Sequence, residues 1–257
     1  IRTRIVVDKS VAEEEENIKE LRIISEADRK KQVRIIEAEA QAQEILVKEL
    51  KDETKIVIPA NTSTILIDFV GKNREIIVKK NAEVKIFTCH TNSTSENVQI
   101  FLSEPGATSK LFTLFSAKNE DKITLQGTCI HQASDTHSNM VVKGIVKDSA
   151  IAKYDGLVKV KENAKGCTGY QQEHTLLLGD EAQATIIPNL EIANDDVQCS
   201  HGATIGRIDE EQLFYLTSRG IPKKEAIKLL ITGFFETIIV QLPTKELQEK
   251  MREKLNE

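Results

Sequence analysis

From Lys55 to about Gly202 the chain is a succession of short β-rich runs broken by Asn, Asp and Gly, with no helical stretch between them. Lys55-Ile56-Val57-Ile58, Thr64-Ile65-Leu66-Ile67, Glu75-Ile76-Ile77-Val78, Val84-Lys85-Ile86-Phe87 and Lys122-Ile123-Thr124-Leu125 are examples. Several runs are entered in the same way: a polar turn, a small residue, then alternation. Asn81-Ala82-Glu83-Val84, Pro105-Gly106-Ala107-Thr108, Asp148-Ser149-Ala150-Ile151, Asn163-Ala164-Lys165-Gly166 and Asp180-Glu181-Ala182-Gln183 all fit, about 14 to 25 residues apart where neighbours are clear. Stacked coils need a small residue at such turns, because each lies against its equivalents above and below. The pattern favours a β-solenoid over a sandwich, and the lack of helical crossovers argues against a doubly wound α/β fold. With 40% hydrophobic residues, 4% aromatics and no Trp, the interior must be layered from Ile, Leu, Val and Ala.

Two helical pieces flank this region, giving expected boundaries of 1–53, 54–206 and 207–257. Asp8 to Lys51 contains no Gly or Pro and is rich in Glu, Lys, Arg, Gln and Ala. The acidic run Glu13-Glu14-Glu15-Glu16 favours a helix start. Ile18, Leu21, Ile24, Ile35 and Ile45 hold no unbroken heptad, so a long, mostly solvated helix is expected. Its composition is similar to the Ala/Glu-rich helix of band-7 proteins. At the other end Asp209 reads as an N-cap with Gln212 three residues on, and Gly220 as the stop. Pro222 opens a second helix whose apolar set is Ala226, Ile227, Leu230, Ile231, Phe234 and Ile238. After Pro243-Thr244, Leu247, Met251 and Leu255 mark an amphipathic tail.

The formal charge of -5 lacks the basic excess of a duplex-binding surface, so nucleic acid is not an expected partner. No apolar run reaches the ~18–20 residues that span a bilayer, so a membrane is not indicated. The opening Ile1-Arg2-Thr3-Arg4 reads as a trimmed piece of a longer, soluble chain. The four cysteines, Cys89, Cys129, Cys167 and Cys199, are far apart, which favours free thiols in a reducing compartment.

Cys199-Ser200-His201 closes the β-region. On a strand, residues i and i+2 face the same way, so thiol and imidazole project side by side. That pair suits iron, zinc, copper(I) or a carried sulfur atom, but two ligands do not complete a site. The competing reading is a small buried hydrophobe beside a hydrogen-bonded histidine. Cys129-Ile130-His131 repeats the spacing, and stacking would decide whether the pairs share a side. Cys89 and His90 should face opposite ways, Cys167 reads as a packing residue, and Glu173-His174 reads as a solvated turn in preference to an acid–histidine pair. No G-x-S-x-G, Walker-type phosphate loop or H-E-x-x-H occurs, which leans away from independent catalysis.

The run Asn189-Leu190-Glu191-Ile192-Ala193-Asn194-Asp195-Asp196-Val197-Gln198-Cys199-Ser200-His201-Gly202-Ala203-Thr204-Ile205-Gly206-Arg207-Ile208-Asp209 resembles the C-terminal signature of the SufB/SufD family. So do Glu210 through Leu216 and Ser218-Arg219-Gly220-Ile221, and, upstream, Tyr170-Gln171-Gln172 with Leu176 through Ala182. The resemblance covers roughly residues 55–240. It implies a right-handed parallel β-helix followed by helices, working as a non-enzymatic scaffold with an ABC-type ATPase, SufC. Sulfur would arrive as persulfide from a cysteine desulfurase system, and a transient iron–sulfur cluster would be held or shared with a partner. Cys199 and His201 fall on the Cys-x-His of the SufD-type pattern. SufB-type chains carry acid–His–Glu there, and Ser200-His201-Gly202 departs from it. By the same resemblance a SufB-type paralogue or a second copy would pair with the β-helix. The ATPase would face Asp209 through about Phe235, with Asp209, Gln212, Phe214, Arg219 and Phe234 as contacts. The implied compartment is the cytoplasm, or the stroma in a plastid. Two other readings stay open: an oligomeric adaptor organised by the N-terminal helix, and a thiol enzyme with Cys199 as nucleophile and His201 as base.

Overall fold

The computed structural model describes residues 45–256. In chain order it contains β1 (Leu46–Leu50), β2 (Lys55–Ile58), β3 (Ser63–Asp68), β4 (Arg74–Val78), β5 (Glu83–His90), β6 (Thr94–Leu102) and β7 (Thr108–Ala117). Then come β8 (Lys122–His131), β9 (His137–Val146), β10 (Ile151–Val160), β11 (Cys167–Leu177), β12 (Gln183–Ile192) and β13 (Val197–Gly206). Three helices follow: α1 (Glu210–Ser218), α2 (Lys223–Ile239) and α3 (Lys245–Asn256).

The odd-numbered strands form a sheet in the order β1-β3-β5-β7-β9-β11-β13, and the even-numbered ones a second sheet in the order β12-β10-β8-β6-β4-β2. Every pairing is parallel, so the chain switches sheet at each turn and coils into a two-sheet parallel β-solenoid. The turns explain the regularity. Those leading into β3, β5, β7, β9 and β11 each hold one residue at positive φ: Asn61, Asn81, Gly106, Asp135 and Gly166. Only Gly, Asn and Asp visit that region cheaply. The small residues Ala82, Ala107, Ala150, Ala164 and Ala182 are all buried where coil stacks on coil. Backbone bonds run between equivalent turns, as from Thr108 N–H to Ala82 O at 2.8 Å and from His137 N–H to Ala107 O at 3.0 Å.

Strand alternation divides the side chains between two cores. Inward-facing residues such as Ile76, Ile100, Cys129 and Val158 fill the solenoid. The outer face of the seven-stranded sheet (Ile67, Phe87, Cys89, Phe112, Leu114 and Ile145) packs under Phe235, Ile238, Ile239, Leu242, Met251 and Leu255. Lys143 tethers this layer, donating from Nζ to Phe234 O and to Thr237 Oγ1, each at 2.7 Å, over the Phe234 ring. Among the described residues no helix is long and apolar enough to cross a membrane.

Two sequence expectations need correction here. Leu46–Leu50, placed within the long helix 1–53, is a strand paired with β3, because the edge of the seven-stranded sheet captures it. The rest of that expected helix, up to residue 44, lies outside the described residues. On α2 the expected apolar set is incomplete: Ala226 and Ile238 are buried and Ile231 and Phe234 pack half-buried against the core, but Phe235 and Ile239, both buried, complete the packed face.

Candidate functional site

The last coil carries the candidate site. On β13, Cys199 stands in register with Gly169 of β11, and His201 with Gln171. Gly169 and Gln171 are buried inward-facing residues, so Cys199 and His201 share the inward side. Among the described residues β13 ends its sheet, as β12 ends the other, and no further strand covers this layer. His201 is therefore exposed, while Cys199 is half-buried against the cluster that holds Cys129 and Cys167. Burial pushes the Cys199 thiol up, the nearby Cys167 adds to this, and a backbone hydrogen bond at Gly169 opposes it. A metal binding here must displace that proton. Among the described residues no third His, Cys, Asp or Glu is placed to complete a metal site. A thiol and an imidazole at an uncovered end fit a ligand set finished from outside the pair.

The second Cys-x-His pair has a different fate. Cys129 and His131 lie on β8 of the opposite sheet, both sealed in the interior. His131 is clamped between Thr136 Oγ1 and Ser138 Oγ, each at 2.8 Å. Burial first, and the charge of His137 second, hold it down to about 4, against a backbone hydrogen bond at Thr136. Burial drives the Cys129 thiol up to about 11. Neutral and hydrogen-bonded, this pair is core. Cys167 packs there too, its Sγ 3.1 Å from Thr136 Oγ1. Cys89 points outward beneath the helices, and His90 points inward to Glu96 at 2.9 Å. Glu173-His174 is not a turn but part of β11: strand alternation sends Glu173 into the core and His174 outward to Thr204 Oγ1 at 2.7 Å. The signal for Glu173 was the period-two series Cys167, Gly169, Gln171, Glu173, Thr175, which its polar members disguised.

The expected partner contacts divide by burial. Asp209 caps α1, accepting from Glu211 N–H at 2.8 Å and Gln212 N–H at 3.2 Å. Gly220 and Ile221 close that helix by donating to Thr217 O and Leu216 O. α1 buries no residue at all. Gln212 is exposed, Phe214 is 73% exposed, and Arg219 lies over the Tyr215 ring. Tyr215, 58% exposed, belongs with this surface although the sequence reading passed over it. Phe234 is engaged with Lys143.

A family model described as the SufBD core domain of SUF-system FeS cluster assembly matches residues 20–234. The chain belongs to the SufBD family. It is 32% identical over 139 residues to the iron–sulfur cluster assembly protein SufD of Bacillus subtilis, covering 54% of this chain and 32% of that protein. It is 39% identical over 121 residues to SufD of Escherichia coli, covering 47% and 29% respectively. An iron–sulfur cluster assembly SufBD family protein of Staphylococcus saprophyticus is 38% identical over 123 residues, covering 48% and 26%. The match to each of these relatives thus spans a third or less of the relative's length.

Proposed function

We propose that this SufBD-family chain is a SufD-type scaffold in iron–sulfur cluster assembly, not an enzyme in its own right. The observation that carries the reading is the side-by-side placement of Cys199 and His201 on the uncovered last strand. The nascent cluster is cargo: the pair supplies one thiolate and one imidazole, and a SufB-type paralogue or a second copy, meeting the β12/β13 end, supplies the rest. The coil is right-handed, as parallel crossovers overwhelmingly are. The working compartment is the cytoplasm or plastid stroma. Burial raises the Cys199 thiol instead of activating it, which weighs against the thiol-enzyme reading.

Anaerobic isolation of the chain with its partners tests this. Cys199→Ala and His201→Ala should each reduce retained iron and acid-labile sulfide by at least about tenfold, the lower end of what even outer-shell changes cost a metal site. Wild-type cluster content in both variants would remove the ligand role.

The ATPase partner, of SufC type, would dock on α1 and the exposed side of the first half of α2, where Leu229 is also exposed. Exposed aromatics are typical binding anchors. Phe214→Ala with Tyr215→Ala should weaken ATPase capture by roughly 30-fold or more, while unfolding stability moves by less than about 0.5 kcal/mol. Titration calorimetry and urea melts read the two quantities separately. Unchanged ATPase affinity would shift the dock elsewhere.

A further inference from the structure

The layer directly beneath the last coil contains an acid that no described residue balances. Glu173 is 0% exposed, and among the described residues neither carboxyl oxygen has a hydrogen-bond partner. Gln171 Oε1, Thr175 Oγ1 and the Tyr154 hydroxyl, all buried, are equally without partners. A Cβ at Gly156 would collide with both Gln171 Oε1 and Glu173 Oε1, so amide and acid converge over that glycine. We propose that Glu173 makes the terminal coil proton-gated: β12 and β13 close over the neutral acid and loosen when it ionises.

The neighbours on every side support this. Within its own sheet Glu173 faces Val142 of β9 and Ala203 of β13. Across the interior lie Gly156 and Tyr154 of β10, and Pro188 of β12 stands in register with Gly156. The titratable group shown against it is Tyr154, whose phenol burial drives far above the neutral range; Glu96 of β6, which pairs with His90 of β5, acts on Tyr154 in turn. Asp155 acts on that same phenol but turns outward to Asn189, and His201 of β13 stands over Gln171. None of these offers a committed positive charge. Burial alone pushes Glu173 up to about 7. A buried carboxylate without donors is the costly state, and water is its cheapest relief.

Water can enter most easily from the end. Inner strands are bonded on both sides, whereas β12 and β13 are each held on one. Over Glu173 the roof on β13 is only the methyl of Ala203. Gln171 Nε2 donates to Asn189 O of β12 at 2.7 Å, joining the polar layer to the strand that would move. The sign follows from the raised value. The contribution to closure is complete below about 4.5, the ordinary carboxyl range, and is lost as pH rises through about 7. The gate holds whether or not Cys199 and His201 ligate a cluster, though it sets how firmly their strand is held.

Amide exchange corrected for intrinsic rates, at pH 5.5 and 8.5, tests it on the whole chain. In wild type, protection across residues 183–206 should fall at least about tenfold at the higher pH, with β7 and β9 unchanged. Glu173→Gln should abolish the difference. Equal loss in that variant, loss spread evenly into β7 and β9, or flat protection would each overturn the gate. A ¹³C carboxyl titration of Glu173 with a midpoint below 5 would do the same.

Discussion

Arg74→Ala should destabilise the fold by about 3–5 kcal/mol, because it strips a buried carboxylate of its counter-charge. Arg74 and Asp68 are both buried, with Arg74 Nε donating to Asp68 Oδ2 at 2.6 Å. The guanidinium also donates to Lys51 O at 3.1 Å and to Glu53 O, tying the loop before β2 to the start of β4. Asp68 Oδ1 keeps only the backbone N–H groups of Val70 and Gly71. Lysine would not substitute, since a single ammonium cannot reach the carboxylate and two carbonyls in one plane. Urea melts should show a lower midpoint at unchanged slope for Arg74→Ala. A loss under about 1 kcal/mol would mean that Asp68 finds another donor.

Gly144→Ala should cost about 2–3 kcal/mol by overpacking. Gly144 of β9 stands in register with Phe115 of β7, and a Cβ there would fall within the end of that buried ring. Interior stacks leave no lateral room, so the methyl must displace the ring or part the strands. Phe115→Leu in the same chain should return much of the loss, and the double-mutant cycle gives the coupling. Additive losses would show that the strain is taken up by the backbone instead.

Much of the fold was legible because turn chemistry and stacking leave local marks. Asn81 followed by Ala82, and Asp148 with Ala150, announced a polar turn and a small stacked residue; the structure has both and adds that Asn81 and Asp148 turn at positive φ. Asp209 and Gly220 bounded α1 as read. What escaped depends on distant neighbours. Leu46-Val47-Lys48-Glu49-Leu50 continues a helix-forming composition, yet pairing with β3 outweighs a preference worth only tenths of a kcal/mol per residue. The side-by-side placement of Cys199 and His201 followed from strand alternation. Their position on an uncovered strand did not, because it depends on where the stack stops. Glu173 was missed because a buried, unpaired acid contradicts the polar-out rule that identifies strands.

The anchoring of α2 has a mechanical consequence. Its second half is bolted down by Phe235, Ile238, Ile239 and the Lys143 bonds. From Lys223 to Phe235 the helix runs about 18 Å at the standard rise. That length is a crank with α1 as its handle. A torque applied at the handle has two routes: through α2 to the outer face of the seven-stranded sheet, where Lys143 of β9 holds it, and directly through residues 207–209 to β13. The shorter route is the three-residue connection, so its stiffness sets how much of the motion reaches the cysteine-bearing strand.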